Sequence, residues 1–134
     1  MIIDAKDSIM GRVATHCAKQ ALLGEEVIVI NVEKAVISGS KETVLEKYKW
    51  RDNLGAPFKG PFMPKSPMLF FKRVIRGMLS YKKGRGREAF KRIKCYPGNP
   101  KNVTGISLEK ANLVKLTKAN YTTVGDLCKQ LKNK

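Results

Sequence analysis

The run Val27-Ile28-Val29-Ile30 constrains the fold more than any other stretch of this chain. It is short, continuous, apolar and β-branched, which disfavours a helix interior and suits a strand covered on both faces in a parallel sheet. Parallel strands need long crossovers, and helical patterns lie on both sides of the run. Ahead of it, Ile9, Val13, Cys17, Ala21 and Leu22 recur at helical spacing, with Asp7 or Ser8 placed to cap and Gly24 to end the helix. After it, a second helix is expected beyond the cap Ser40, with Val44, Leu45 and Tyr48 on one side. With Ile2-Ile3 as a short first strand, the alternation predicts an α/β sheet with right-handed crossovers.

From Asn53 to Pro67 the texture changes, because Gly55, Pro57, Gly60, Pro61, Pro64 and Pro67 break any regular element. Loops of this length within compact domains are usually functional or ordered by a partner. Pro67 suits the first turn of a helix in which Met68, Phe71, Val74, Ile75 and Met78 form an apolar stripe. Lys72 and Arg76 project together from its other side, with Arg73 beside them. A turn over 80–86 leads to a short basic helix from Arg87 to Ile93. Ile93 to Tyr96 reads as a third strand and Leu113 to Leu116 as a fourth. Thr122 or Thr123 caps a last helix in which Val124, Leu127, Cys128 and Leu131 dock on the core, with Lys129, Lys132 and Lys134 near its negative end.

The 134 residues, 43% of them hydrophobic, suit one domain with one core. The formal net charge of +16 is distributed unevenly. Residues 1–52 balance eight Lys/Arg against eight Asp/Glu, and residues 109–134 carry six against two. Between them, residues 53–108 carry thirteen against a single acid, Glu88. Such segregation is an electrostatic footprint for a polyanion, since the self-repulsion disfavours a compact state until a partner neutralises it. A merely soluble surface interleaves both signs, whereas Met68 to Lys94 excludes acid almost throughout. Nucleic acid is the expected partner.

Other chemistries find little support. His16 is the single histidine, and it lies in the first helical pattern, where packing explains it better than catalysis. No Ser/His/Asp, Cys/His or paired-carboxylate arrangement can be assembled. The letters Gly84-x-Gly86-x-x-Ala89 match the dinucleotide spacing, but a lysine-rich turn precedes them instead of a buried strand. A nucleotide-dependent enzyme on an α/β scaffold, the main rival, would also need a phosphate loop that is not here. Cys17, Cys95 and Cys128 have no metal-ligand spacing and read as reduced core thiols. Without a signal peptide or a long apolar span, a soluble cytoplasmic protein is expected and a polybasic membrane module is disfavoured. No cofactor, metal or small-molecule substrate is expected.

Several strings together resemble one family: Ile3-Asp4-Ala5 leading to Gly11-Arg12-Val13-Ala14; Asn31-Val32-Glu33-Lys34-Ala35 followed by Ile37-Ser38-Gly39; Arg76-Gly77-Met78-Leu79; and Gly86-Arg87-Glu88-Ala89-Phe90-Lys91-Arg92-Ile93-Lys94. They are similar to the universal large-subunit ribosomal protein thirteen family, in its archaeal-like form because Gly60-Pro61-Phe62-Met63-Pro64 precedes the third helix. The resemblance implies a three-layer α/β/α fold around a four-stranded parallel sheet, with a basic loop-plus-helix excursion. It also implies contact with large-subunit ribosomal RNA and neighbouring ribosomal proteins, and a structural and assembly role. Ser80 and Gly84 stand where that family usually has proline, which leaves the basic turn less rigid, and Cys95 replaces a typical valine.

The residues expected against RNA are Lys59, Lys65, Lys72, Arg73, Arg76, Lys82, Lys83, Arg85, Arg87, Lys91, Arg92 and Lys94, within a basic segment of about 55–96 in one domain spanning 1–134. Arginine would offer phosphates a planar fork and lysine a point charge. Gly11, Arg12, Phe58, Phe62, Gly84 and Gly86 are further candidates, the glycines for close backbone approach and the phenylalanines for stacking on unpaired bases.

Overall fold

A computed structural model describes residues 1–116 and 120–132 of the chain. The apolar run forms β2 (Val27–Ile30), which pairs in parallel with β1 (Ile2–Asp4) on one side and β4 (Ile93–Cys95) on the other. The strand order is β1-β2-β4. The register sets Ile3, Val29 and Cys95 in one row and Val27 opposite Ile93, and all five are buried. The next row, Ile2, Ile28 and Lys94, points the other way and is half-buried or exposed. The expectation that β2 is covered on both faces holds in part: Val27 and Val29 are buried on one face, and on the other Ile30 is buried while Ile28 is half-buried.

The cause lies in how the helices pack. Helix α1 (Met10–Leu22) rests on β2 and also on α3 (Pro67–Gly77) and α4 (Gly84–Lys91), while α3 rests on β4. Helices that touch one another and the sheet share one face of it. A second helical layer would have covered Ile28 and Lys94.

The expected four-stranded parallel sheet is corrected to three strands among the described residues. Leu113 to Leu116 does not extend. Leu113–Lys115 is a 3-10 turn, begun by the Asn112 side chain accepting from the Val114 N–H at 3.1 Å. That local bond gives the backbone a partner without a ladder, and Val114 is left 87% exposed. The place beside β1 is held by a single parallel bridge from Ile3 to Ile106. A second ribbon was not foreseen: β3 (Val36–Ser38) pairs antiparallel with β5 (Tyr121–Thr123), Ile37 facing Thr122.

Local chemistry explains most helix ends. Ser40 caps α2 (Lys41–Asp52) by accepting from Thr43 N, Pro67 opens α3 from its first position, and Thr123 Oγ1 accepts from Asp126 N at the start of α5 (Val124–Lys132). Gly24, at φ 98°, follows the end of α1 in the left-handed conformation that glycine supplies cheaply. The start of α1 differs from expectation, because neither Asp7 nor Ser8 caps it. Ile9 occupies the cap position, and its N–H donates to Ala111 O at 2.6 Å, while Ser8 is buried beside Asn112. Helix α4 begins at Gly84, three residues before the expected Arg87. Lys134 lies outside the described residues.

The core joins both halves of the chain. Phe70, Phe71 and Ile75 of α3 are buried with Val13, Ala14 and Cys17 of α1 and Leu127, Cys128 and Leu131 of α5. The Phe70 ring meets the Tyr48 ring edge to face at 5.0 Å. Fully burying a side chain such as Phe71 contributes about 1.5–3 kcal/mol, so α3 is held firmly while its other side stays free to present cations.

Candidate nucleic-acid interface

The basic excursion is built on α3, which ends at Gly77 and passes through a tight turn into α4. Lys83 N donates to Ser80 O at 2.9 Å, and Tyr81 N donates to Leu79 O at 2.9 Å. Gly86 is buried against that turn, and a Cβ on it would collide with the Ser80 carbonyl group. Its lack of a side chain is thus required by α4 lying directly on the turn, so that Gly86 faces its own chain. Gly84 and Gly11 both face open space.

The structure divides the expected cations by what they touch. Lys82, Lys83, Arg85, Arg87 and Lys91 are exposed, and none pairs with a carboxylate among the described residues. Glu88 is exposed among them. Lys72 and Arg76 are half-buried and lie over aromatic rings of the same excursion, Lys72 Nζ at 4.9 Å from the Phe90 centroid and the Arg76 guanidinium at 4.8 Å from that of Tyr81. These contacts fix the direction of the cations without using up their charge.

Three others carry internal bonds. Arg92 Nη1 donates to Ala21 O at 3.0 Å, a carbonyl at the C-terminal end of α1 that also accepts from Gly24 N at 3.1 Å, and a cation is favoured there by the dipole. Arg73 Nη1 donates to Phe62 O at 2.7 Å and ties the loop to α3. Lys65 Nζ lies 3.6 Å from Asp52 Oδ2. Lys59 is exposed in the loop, and Lys94 stands on the open face of the sheet, because the register of β4 turns it away from Ile93 and Cys95. Arg12 is exposed, with Nη1 donating to Lys110 O at 2.8 Å.

The loop from Asn53 to Ser66 is ordered by its own backbone. Gly60 N donates to Ala56 O at 2.7 Å, and Gly60 packs so closely on the Leu54 and Ala56 carbonyls that a side chain there would not fit. This fold pushes Phe58 and Phe62 outward, 93% and 69% exposed. Trp50, absent from the residues expected against RNA, is 64% exposed at the end of α2. It lines a hollow of about 500 Å³ with Arg51, Leu54, Met63 and Arg73. Its signal was its place two residues after Tyr48, which turns it to the side of α2 opposite the Val44 and Tyr48 stripe.

The buried thiols take no part in this surface. Desolvation pushes Cys17 and Cys95 up to about 12 and Cys128 to about 11, so all three are protonated near neutrality. They are free and buried. No cluster of three or more His, Cys, Asp or Glu side chains suited to a metal ion occurs among the described residues, and no described helix is long and apolar enough to cross a membrane.

With the surface described, its relatives can be placed beside it. The family model for ribosomal protein L13 matches residues 1–102. The chain belongs to that family. Its L13 relatives extend the similarity nearly end to end. The large ribosomal subunit protein uL13 of Haloarcula marismortui is 47% identical over 131 residues, spanning 98% of this chain and 90% of that protein. That of Methanococcoides burtonii is 44% identical over 136 residues, spanning 99% and 98%. That of Methanopyrus kandleri is 44% identical over 135 residues, spanning 97% and 85%. These L13 relatives are archaeal, as the Gly60 to Pro64 string led us to expect.

Proposed function

We propose that this chain is a structural constituent of the large ribosomal subunit, which holds ribosomal RNA through residues 59–94 and supports subunit assembly beside neighbouring ribosomal proteins. The observation that carries this reading is the row of exposed cations Lys82, Lys83, Arg85, Arg87 and Lys91, opposed by Glu88 alone among its neighbours, on a turn and helix tied to the core through α3. The names of the L13 relatives support it. The cations neutralise phosphates, and the rigid base lets them do so at fixed spacing, so recognition is by backbone shape more than by base sequence. Lys72 and Arg76, steadied on Phe90 and Tyr81, add directed charges, and Phe58 and Phe62 offer faces on which unpaired bases stack. The chain works where ribosomes do, in the cytoplasm.

The role is structural rather than enzymatic. At the carboxyl end of β1, where α/β folds commonly place a nucleotide, Asp4 Oδ1 already accepts from Lys6 N and Asn31 Nδ2. The test is a variant with Lys82, Lys83, Arg85 and Arg87 all changed to Ala. Its affinity for large-subunit ribosomal RNA is expected to fall on the order of a hundredfold at moderate salt, for four lost phosphate contacts, with circular dichroism unchanged. Undiminished affinity would contradict the proposal.

A further inference from the structure

Between α1 and residues 107–115 lies an open groove of about 820 Å³, remote in sequence from the basic excursion. One wall carries Arg12, His16 and Lys19, which successive turns of α1 place on one side, and the other carries Lys110 and Lys115. Glu109 is the one carboxylate lining it. The second wall falls outside residues 1–102, the span that the family model matches.

The groove is shaped before anything enters it. Ile9 N donates to Ala111 O at 2.6 Å, Leu113 N to Asp7 O at 2.9 Å, and Arg12 Nη1 to Lys110 O at 2.8 Å, so backbone bonds hold 109–113 against the start of α1. Lys19, Lys110 and Lys115 are exposed. The groove also leads toward the excursion. Thr15 Oγ1 lies 3.6 Å from Met78 Sδ, and Thr15, Lys19 and Met78 line the adjoining hollow. Met78 opens the turn that carries Lys82 and Lys83.

We infer that this groove seats a second stretch of ribose-phosphate backbone, separate from the one held by α4. The inference rests on the RNA reading above, and it adds a site lined by α1 and residues 107–115. Positive charge on both walls suits a polyanion. An acidic protein segment would satisfy the same charges, but continuity with the excursion through Thr15 and Met78 favours the polymer already placed there. The open shape suits a running backbone better than an enclosed small ligand.

The test compares two variants by hydroxyl-radical footprinting on large-subunit ribosomal RNA. One is Lys19→Ala/Lys110→Ala/Lys115→Ala, which spares Arg12 because Arg12 holds the Lys110 carbonyl. The other changes Lys82, Lys83, Arg85 and Arg87. The groove variant is expected to lose one protected stretch and keep the stretch that the α4 variant loses, with the slope of log affinity on log salt lowered by about 2. A groove variant that protects everything the parent protects, while the α4 variant still loses its stretch, overturns the second site and leaves the first standing. If neither variant loses protection, both readings fail. Crosslinking in assembled subunits adds an independent readout: adducts of peptide 107–115 to RNA support the site, and adducts to protein alone overturn it.

Discussion

Two pairs of near-twins show how the excursion divides between anchoring and binding. Gly86 and Gly84 are both in the first turn of α4, yet only Gly86 lies on the Ser80 carbonyl. Gly86→Ala must displace the turn, and is expected to cost about 1–3 kcal/mol of stability. Gly84→Ala meets open space and should be neutral or slightly stabilising. Urea unfolding of both variants checks the contrast, and equal effects would refute the packing account. Arg92 and Lys91 form the second pair. Arg92→Ala removes one of the two bonds that the Ala21 carbonyl accepts, leaving that from Gly24 N, and is expected to lose about 0.5–1.5 kcal/mol of stability, whereas Lys91→Ala should leave stability unchanged and weaken RNA binding. Thermal melts and filter binding on the two proteins separate those outcomes. Neither distinction is visible in the sequence, because the deciding partners are backbone carbonyls brought close by folding, and side-chain identity alone does not report them.

At the level of elements, what the sequence revealed was what local chemistry controls. Ser40, Pro67, Thr123 and Gly24 mark helix ends because each satisfies or replaces a nearby backbone group. The Val27 to Ile30 run announces a strand because its side chains have few other uses. The ribbon of β3 and β5 was not legible, since Val36 and Thr123 lie most of the chain apart in sequence. Leu113 to Leu116 misled because its apolar letters resemble a strand, while Asn112 offers its own backbone a closer bond. The uneven cover of the second face, where Ile30 is buried and Ile28 only half-buried, goes with α1, α3 and α4 gathering on the first, a tertiary choice that no single strand encodes. The basic character of α4 was plain from composition. Its packing was not, for nothing in the letters shows that Gly86 lies directly on the Ser80 carbonyl.

For the whole molecule, burial makes stability depend on pH. Desolvation raises the folded-state thiols of Cys17 and Cys95 to about 12 and Cys128 to about 11, whereas unfolded thiols ionise near their ordinary value of about 8.5. Stability from these groups is therefore complete below about pH 8.5 and declines as pH rises toward the folded-state values, because the unfolded chain releases its protons first. Urea midpoints taken at neutral and alkaline pH should fall, and should fall less for a Cys17→Ala/Cys95→Ala variant; equal declines would refute this cause.

The formal net charge of +16 acts on the partner instead, and it is concentrated where the structure leaves cations exposed and unpaired. The most direct test of that claim is a salt titration of ribosomal RNA binding by the parent and by the variant lacking Lys82, Lys83, Arg85 and Arg87. If these four side chains neutralise phosphates, the parent's slope of log affinity on log salt should be steeper than the variant's by about 3. Coincident slopes would show that the basic turn and α4 do not meet the RNA backbone.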